Sequence, residues 1–398
     1  MTDDRSPALD RHLLTITQRP PRVFVHGDGS WLVDDSGRRY LDLVQGWAVN
    51  SLGHSPALVA EALASQAGRL LNPGPAYYSR PMLDLARRLT ELSCFDRVFL
   101  ASSGAEANEG AVKLARRWGQ KMKGGAHEVI NFHDGFHGRT LAMMSASGKP
   151  GWDRLYAPMP TGFAKARLHD IESVRRALTP ATVAVMLEFV QGEAGVNLVD
   201  AGFVRELRAL CTAHDLLLIA DEVQTGIGRC GTAFAYEQYG IEPDLMTLAK
   251  GIGGGVPLSA LLCKERFNCF EPGDQGGTFC GNPLMAAVGL AVVNEVCRAD
   301  FLADVRQRGE QLSRGLQAIA RDFGCPGERG LGLLRALQLP SDDAAAVVEA
   351  ASSLAPAGLL LNAPRPNLLR FMPALNISAA DLDDALGLLR QALHEVWG

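Results

Sequence analysis

Two apolar runs end in residues with reactive chemistry. Leu216-Leu217-Leu218-Ile219-Ala220 delivers Asp221-Glu222, and Thr247-Leu248-Ala249 delivers a lone Lys250 followed by the glycine-rich stretch Gly251–Gly255. Open α/β sheets place ligand-binding groups at the C-terminal ends of their strands. A lysine at the end of a buried strand is paired or reacting, because an isolated ammonium is costly to bury. Desolvation lowers its pKa and makes it a nucleophile able to form a Schiff base with an aldehyde. A strand-end carboxylate has a blander use, capping a helix, and Asp221 taken alone allows both readings.

A third element has the chemistry of an anion site. Ser102-Ser103-Gly104-Ala105 follows the short apolar run Val98–Ala101 and opens a segment with helical spacing, Ala105–Gln120. Small residues there let backbone N–H groups and the helix dipole face a phosphate. An ordinary serine N-cap would look the same. A lysine for the aldehyde, a carboxylate for the ring nitrogen and an anion cradle are together what pyridoxal 5′-phosphate (PLP) requires.

The elements that must carry these groups alternate. Val129–Phe132, Val183–Val190, Leu216–Ala220 and Leu245–Leu248 are apolar runs, with helical segments such as Phe203–His214 between them. That alternation predicts a doubly wound, mostly parallel sheet with helices on both faces. Thr15–Arg39 reads as a small hairpin-rich piece. Beyond Asn282-Pro283 a helical pattern runs to about Arg321, followed by strand-like Leu359–Asn362 and Leu368–Met372 and a last helix, Ala379–Trp397. The expected organisation is an N-terminal segment, 1–54, packing with a smaller α+β domain at 296–398, around a large domain at 55–295.

Composition narrows the setting. With 47% hydrophobic and 21% charged residues and a net charge of −5, the chain has no basic surface for nucleic acid and no run long enough for a membrane span. Met1–Arg5 lacks the pattern of a signal peptide. Eight cysteines without a C-x-x-C pair read as reduced thiols, and a cytoplasmic home is expected. His133-Asp134-Gly135-Phe136-His137 has the spacing of a zinc helix, but Gly135 and Gly138 would break it, so no metal is expected. Arg116-Arg117 reads as a solvated face.

The motifs together resemble the class III PLP-dependent aminotransferases. The resemblance rests on Ser103–Asn108, Phe136-His137-Gly138-Arg139-Thr140, Gly192-Glu193, Asp221–Arg229, Lys250–Gly255, Thr278–Pro283 and Leu369-Arg370-Phe371, in that order. Within the class the chain is most similar to the acetylornithine aminotransferases, including Ala48–His54. The resemblance implies an aspartate aminotransferase-like large domain of fold type I. Lys250 would hold the cofactor and shuttle its proton, Asp221 would pair with the ring nitrogen, and Gln224 would reach the ring hydroxyl. Val223 and Phe136 would cover the ring faces, and Ser103, Gly104 and Ala105 would hold the phosphate. Thr278 would complete that site from a second copy of the chain, in a homodimer with shared active sites. Arg139 and Arg370 would clamp carboxylates, with Glu193 pairing with Arg370.

The implied reaction moves an amino group from an ω-amino donor, N-acetylornithine first, to 2-oxoglutarate in arginine biosynthesis. Succinylornithine, ornithine, 4-aminobutyrate or another ω-amine are the nearer alternatives. An isomerase or decarboxylase of the same fold would have less use for two carboxylate clamps. A non-catalytic binding protein would be expected to lose Lys250, Asp221 or the cradle. The chain departs from the family pattern at four places: Phe189 stands where proline usually follows the strand glutamate, Glu188, Gln45-Gly46-Trp47 stands where small residues are common, and Arg365-Pro366 replaces a small, glycine-containing pair. Arg335 replaces a common glycine. Trp47 and Asn72–Tyr78 are expected on the substrate side.

Borohydride treatment of the PLP-loaded protein should fix the cofactor on Lys250. Peptide mapping that found the label on Lys149 or Lys264 instead would overturn the assignment.

Overall fold

The computed structural model describes residues 12–398. The segment Met1–Arg5, read above for a leader, lies outside the described residues, as do the first eleven residues of the expected N-terminal segment.

Strands β1 (Phe24–Asp28), β2 (Trp31–Asp34) and β3 (Arg39–Asp42) form an antiparallel meander. Gly29, at φ +53°, starts the two-residue turn between β1 and β2, a conformation that glycine adopts without a Cβ clash. Next come β4 (Arg97–Ala101), β5 (Glu128–Phe132), β6 (Phe163–Ala166) and β7 (Thr182–Leu187). A two-stranded ribbon follows, β8 (Val190–Gln191) with β9 (Asn197–Leu198), and then β10 (Leu217–Asp221), β11 (Leu245–Leu248) and β12 (Ser259–Cys263). The C-terminal part contributes β13 (Gly327–Leu331), β14 (Leu334–Gln338), β15 (Gly358–Leu360), β16 (Asn362–Arg365) and β17 (Leu368–Phe371).

Seven of these strands make the central sheet, in the order β4-β12-β11-β10-β7-β5-β6. Only β12 runs against its neighbours. Residues of β7, β10, β11 and β12 are buried throughout, because both faces of the sheet are covered. Leu217 and Ile219 point into a core shared with Leu114 and Trp118 of the helix Gly104–Met122. Leu218 and Ala220 point the other way, toward Phe203 and Leu207 of the helix Ala201–Ala213. Alternate residues of one strand thus serve two cores, and each fully buried Leu or Ile contributes about 1.5–3 kcal/mol.

Several expected elements divide. The Val183–Val190 run leaves the sheet after Leu187, and Val190 pairs instead in the small ribbon. The helical pattern after Pro283 is two helices, Pro283–Val296 and Ala299–Asp322, broken at Arg298, whose backbone is extended at φ −70° and ψ 144°. The strand expected at Leu359–Asn362 splits between two sheets. β15 lies parallel to β3, and β16 pairs with β17 in the sheet β13-β14-β17-β16. Arg116 and Arg117 are more than a solvated face. Arg117 bridges Glu271 and Asp274, both at 2.9 Å, and Arg116 donates to the carbonyls of His127 and Thr161.

Arg229 locks the loop after β10 to the C-terminal part. It is 2% exposed, and its Nη1 donates to the carbonyl oxygens of Leu333 (3.0 Å) and Pro373 (2.6 Å). No carboxylate pairs with it among the described residues, and burial pushes the guanidinium down to about 10. Arg229→Ala would leave both carbonyls unsatisfied and a cavity behind, at a cost of about 2–5 kcal/mol. Urea unfolding should show the loss. An unchanged midpoint would mean that the arginine is neutral in this docking.

Candidate active site

Five parallel strands end at one edge of the central sheet, and each delivers a side chain there. β4 leads to Ser103, β5 to the Phe136 loop, β7 to Glu188, β10 to Asp221 and β11 to Lys250. Between these ends lies a cavity of about 460 Å³, within the range of small-molecule sites. Ser103, Gly104, Ala105, Phe136, Arg139, Glu193, Asp221, Val223, Gln224 and Lys250 all line it. Arg370 lies behind Glu193. Thr278 does not line it; this threonine is exposed, and its carbonyl accepts a hydrogen bond from Asn72.

Lys250 sits at φ +47° at the start of a single 3₁₀ turn, a left-handed conformation uncommon for a lysine and one that marks functional sites. Burial pushes its amine down, against the pull of the Glu193 and Asp221 charges. No carboxylate lies within 4.0 Å of the amine among the described residues. The nitrogen is therefore free to act as a nucleophile or to carry a proton.

Asp221 is held on three sides. Its Oδ2 meets His137 Nδ1 at 2.7 Å and accepts from Asn108 Nδ2 at 2.8 Å, while Oδ1 accepts the amide of Val223 at 3.1 Å. Asn108 is itself fixed, accepting from Thr247 Oγ1 (2.6 Å) and donating to the carbonyl of His137 (2.8 Å). All four side chains are at least 96% buried. Fully satisfied polar networks of this kind rigidify a site.

The remaining walls follow from local structure. Ser103 caps the helix Gly104–Met122, and the amides that open the helix have no preceding turn to bond to. Glu106 takes the amide of Ser102 and the hydroxyl of Ser103, donors that an anion in the cradle would compete for. A Cβ on Gly104 would lie 2.9 Å from Val223, so glycine keeps the floor open. A Cβ on Gly192 would overlap the Gln224 amide oxygen, which fixes where Gln224 stands.

Glu188 accepts the Phe136 amide at 2.9 Å, and burial followed by the charge of Asp221 drives its carboxyl well up.

Two arginines differ sharply. Arg370 is fully buried, with Nε donating to Asn362 Oδ1 (2.9 Å) and Nη1 2.7 Å from Glu193 Oε1. Its Nη2 is buried with no partner. Burial alone would raise the Glu193 carboxyl, but the charge and hydrogen bond of Arg370, with the charges of Lys250 and Lys149, together hold the group below its ordinary value. Arg139 is exposed and lies over the rings of Trp152 (4.9 Å) and Phe136 (5.9 Å) with no ion-pair partner among the described residues.

Comparison with known proteins places this geometry. The family model for aminotransferase class-III matches residues 16–393. The chain belongs to the class III aminotransferases. Acetylornithine aminotransferase 2 of Bordetella bronchiseptica is 60% identical over 370 residues, 93% of each chain. The acetylornithine aminotransferase of Ralstonia nicotianae is 58% identical over 385 residues, 96% of each. Among solved structures, the ornithine aminotransferase of Toxoplasma gondii superposes with a TM-score of 0.92 at 30% identity, covering 98% of this chain and 94% of that one. N-acetylornithine aminotransferase from Stenotrophomonas maltophilia gives 0.83 at 34%, covering 95% and 97%.

A class III aminotransferase depends on PLP, and the residues present fit it. The cradle, the anchored carboxylate, the unpaired lysine and the Phe136 and Val223 walls each supply a contact of the type the cofactor needs.

Sequence reasoning missed three participants. His137 enters the sequence reading as a rejected zinc ligand and as a member of the Phe136–Thr140 motif, with no role of its own, although a histidine beside Gly138 and Arg139 in a strand-end loop is a signal. Asn108, the polar residue on the otherwise apolar buried face of its helix, is another. Glu188 was noted only for the residue that follows it. Conversely, Trp47 does not line this cavity; it is 52% exposed on a left-handed run, Gln45–Ala48, that presents Val49 to the cavity instead. Tyr78 likewise lines a different groove.

His137→Phe would remove one bond from Asp221 while keeping a ring in place. A buried bond to a charged group is worth about 1.5–3 kcal/mol, so PLP affinity should fall by roughly tenfold or more. Absorbance titration of the apoprotein measures it, and unchanged affinity would show that His137 does not support the cofactor site.

Proposed function

We propose that this aminotransferase moves the ω-amino group of N-acetylornithine to 2-oxoglutarate, in arginine biosynthesis. The observation that carries the reading is the pair of unequal guanidinium groups: Arg139 open to the cavity, and Arg370 sealed behind Glu193. The names of the relatives at 58% and 60% identity support the donor. The ornithine aminotransferase likeness keeps ornithine as the second reading.

Bound PLP supplies an aldehyde carbon and a ring that takes up the electron pair of the reacting carbon. Ser103, Gly104 and Ala105 would hold its phosphate, Asp221 its ring nitrogen, Gln224 its ring hydroxyl, and Phe136 and Val223 its faces. Lys250 would hold the cofactor between turnovers and move the proton on Nζ. Arg139 binds the donor's carboxylate in a bidentate fork, leaving the distal amine at Lys250. N-acetylornithine has no carboxylate beside its reacting carbon, and a free Arg370 would favour the wrong end of it. Glu193 neutralises Arg370 during this half. Then 2-oxoglutarate brings a carboxylate on each side of the reacting centre; Arg139 takes the distal one, and the other displaces Glu193 from Arg370.

The same reading divides the chain into 1–54, 55–295 and 296–398. The helix Pro283–Val296 packs on Ala57–Ala67 and Arg80–Glu91, whereas Ala299–Asp322 packs on Ala379–Trp397, and the pairing of β3 with β15 joins the N-terminal strands to the C-terminal part. It also makes the enzyme a homodimer in which Thr278 reaches the partner's phosphate site. The exposed Leu71, Tyr77, Tyr78 and Phe279 support a covered surface beside it. No helix among the described residues is long and apolar enough to cross a membrane, and the eight free thiols suit the cytoplasm.

A panel of N-acetylornithine, succinylornithine, ornithine and 4-aminobutyrate against 2-oxoglutarate tests the donor; a higher kcat/KM for any other amine would displace N-acetylornithine. In single-turnover absorbance, Glu193→Ala should slow the ω-amine half-reaction and speed that with glutamate, shifting their ratio by about tenfold or more. Equal loss in both halves would make Glu193 merely structural.

A further inference from the structure

Glu193 rides on the turn between β8 and β9. Gly195 donates its amide to the Gly192 carbonyl at 3.3 Å, and Gly195 and Val196 both have positive φ, at +117° and +58°. The outward carbonyls of this turn are taken by arginines of the C-terminal sheet. Arg329 Nε donates to Gly195 O at 2.9 Å, and Arg365 Nε donates to Ala194 O at 3.3 Å. Arg365 reaches further: its Nη2 lies 2.7 Å from Asp134 Oδ1, two residues before Phe136.

Strand β16 thus touches both halves of the Glu193–Arg370 pair. Its first residue, Asn362, accepts Arg370 Nε, and its last, Arg365, holds the turn behind Glu193. Arg335, the other arginine that departs from the family pattern, does nothing similar. It is spent inside the C-terminal sheet, on the Gly332 carbonyl and on Glu328 at 3.2 Å. Phe189 stacks on Tyr239 at 4.8 Å.

We propose that Arg365 is a positioning residue that straps the Glu193 turn to β16 and to the Asp134 loop, and so biases the Glu193–Arg370 pair toward its closed, ω-amine form. The proposal rests on Glu193 acting as the gate. A guanidinium suits the role because its planar fork carries separate donors on Nε and Nη2, so one serves the turn carbonyl while another meets the carboxylate. A lysine at this place would carry its donors on one atom of an unbranched stem, and could serve both partners only where they converge on a single point. Cutting the strap leaves the turn to Arg329 alone, so Glu193 leaves Arg370 more easily and α-carboxylates gain on ω-amines.

The test uses the PLP-loaded enzyme and the variants Arg365→Ala, Arg365→Lys, Asp134→Asn and Glu193→Ala. Hydrogen exchange of a peptide spanning 190–198 should speed up in Arg365→Ala, and less in Asp134→Asn, which keeps the bond to Ala194. The kcat/KM ratio of the glutamate to the ω-amine half-reaction should rise by about two- to fivefold in Arg365→Ala, the scale of a partly exposed charged contact. The rise should appear in KM, with kcat little changed, and Arg365→Lys should restore it only in part. In a Glu193→Ala background, Arg365→Ala should leave the ratio where it was. If Glu193→Ala shifts the ratio and Arg365→Ala does not, the strap is wrong while the gate stands. If Glu193→Ala shifts nothing, the gate reading fails and the bias falls with it. Unchanged exchange in Arg365→Ala overturns the strap whatever the kinetics show.

Discussion

The site depends on a carboxylate kept almost out of reach of water. Asp221 is 4% exposed at the end of the most central region of the sheet, and a charge there is tolerable only if it is fully hydrogen-bonded. The network that satisfies it recruits one residue from each surrounding element. Val223 comes from its own loop, His137 from the loop after β5, and Asn108 from the helix after β4, with Thr247 of β11 behind it. Fixing the charge therefore fixes the spacing of four elements around the cavity. The Phe136 wall is pinned a second time, through its amide on Glu188.

A second tension concerns positive charge. Lys250 and Arg139 line the cavity and Arg370 stands behind Glu193, and each cation is handled differently. Lys250 is enclosed, and burial pushes its amine down. Arg139 stays exposed over aromatic rings, where water and π faces hold its charge. Arg370 is fully buried, where only Glu193 and Asn362 meet it and one nitrogen has no partner. An arginine cannot shed its charge as a lysine can, so a buried and half-satisfied guanidinium is a strong carboxylate receptor. On the proposed reading Glu193 is then the control point, and the turn that carries it is held from outside by Arg329 and Arg365.

The C-terminal part of the chain is therefore a structural component of the site. It brings Arg370 on β17, Asn362 and Arg365 on β16, and Arg329 on β13. Arg229 reaches back from the loop after β10 to bond its carbonyls. Motion of this part relative to the central sheet would strain these contacts together.

Much of this was legible in the sequence because some demands are local. Apolar strands that end in Asp221 and Lys250, a serine-glycine helix start after β4, and the ordered motifs around them fixed the alternating α/β class, the family and the cofactor chemistry. Each depends on residue type within a few positions. Boundaries failed where pairing partners decide: nothing within Leu359–Asn362 says that β15 joins β3 while β16 turns to β17. His137 and Asn108 escaped for the same reason, since a buried polar side chain acquires its role from the donor or acceptor opposite it, and Asp221 lies far from both in sequence. In the sequence Glu193 and Arg370 pair only through the family likeness, and Arg365 stands there only as a departure from the family pattern. Spacing along the chain sets what a residue can do chemically. Which of those capacities is used depends on distances of 3 Å between segments hundreds of residues apart, and only the folded packing determines those.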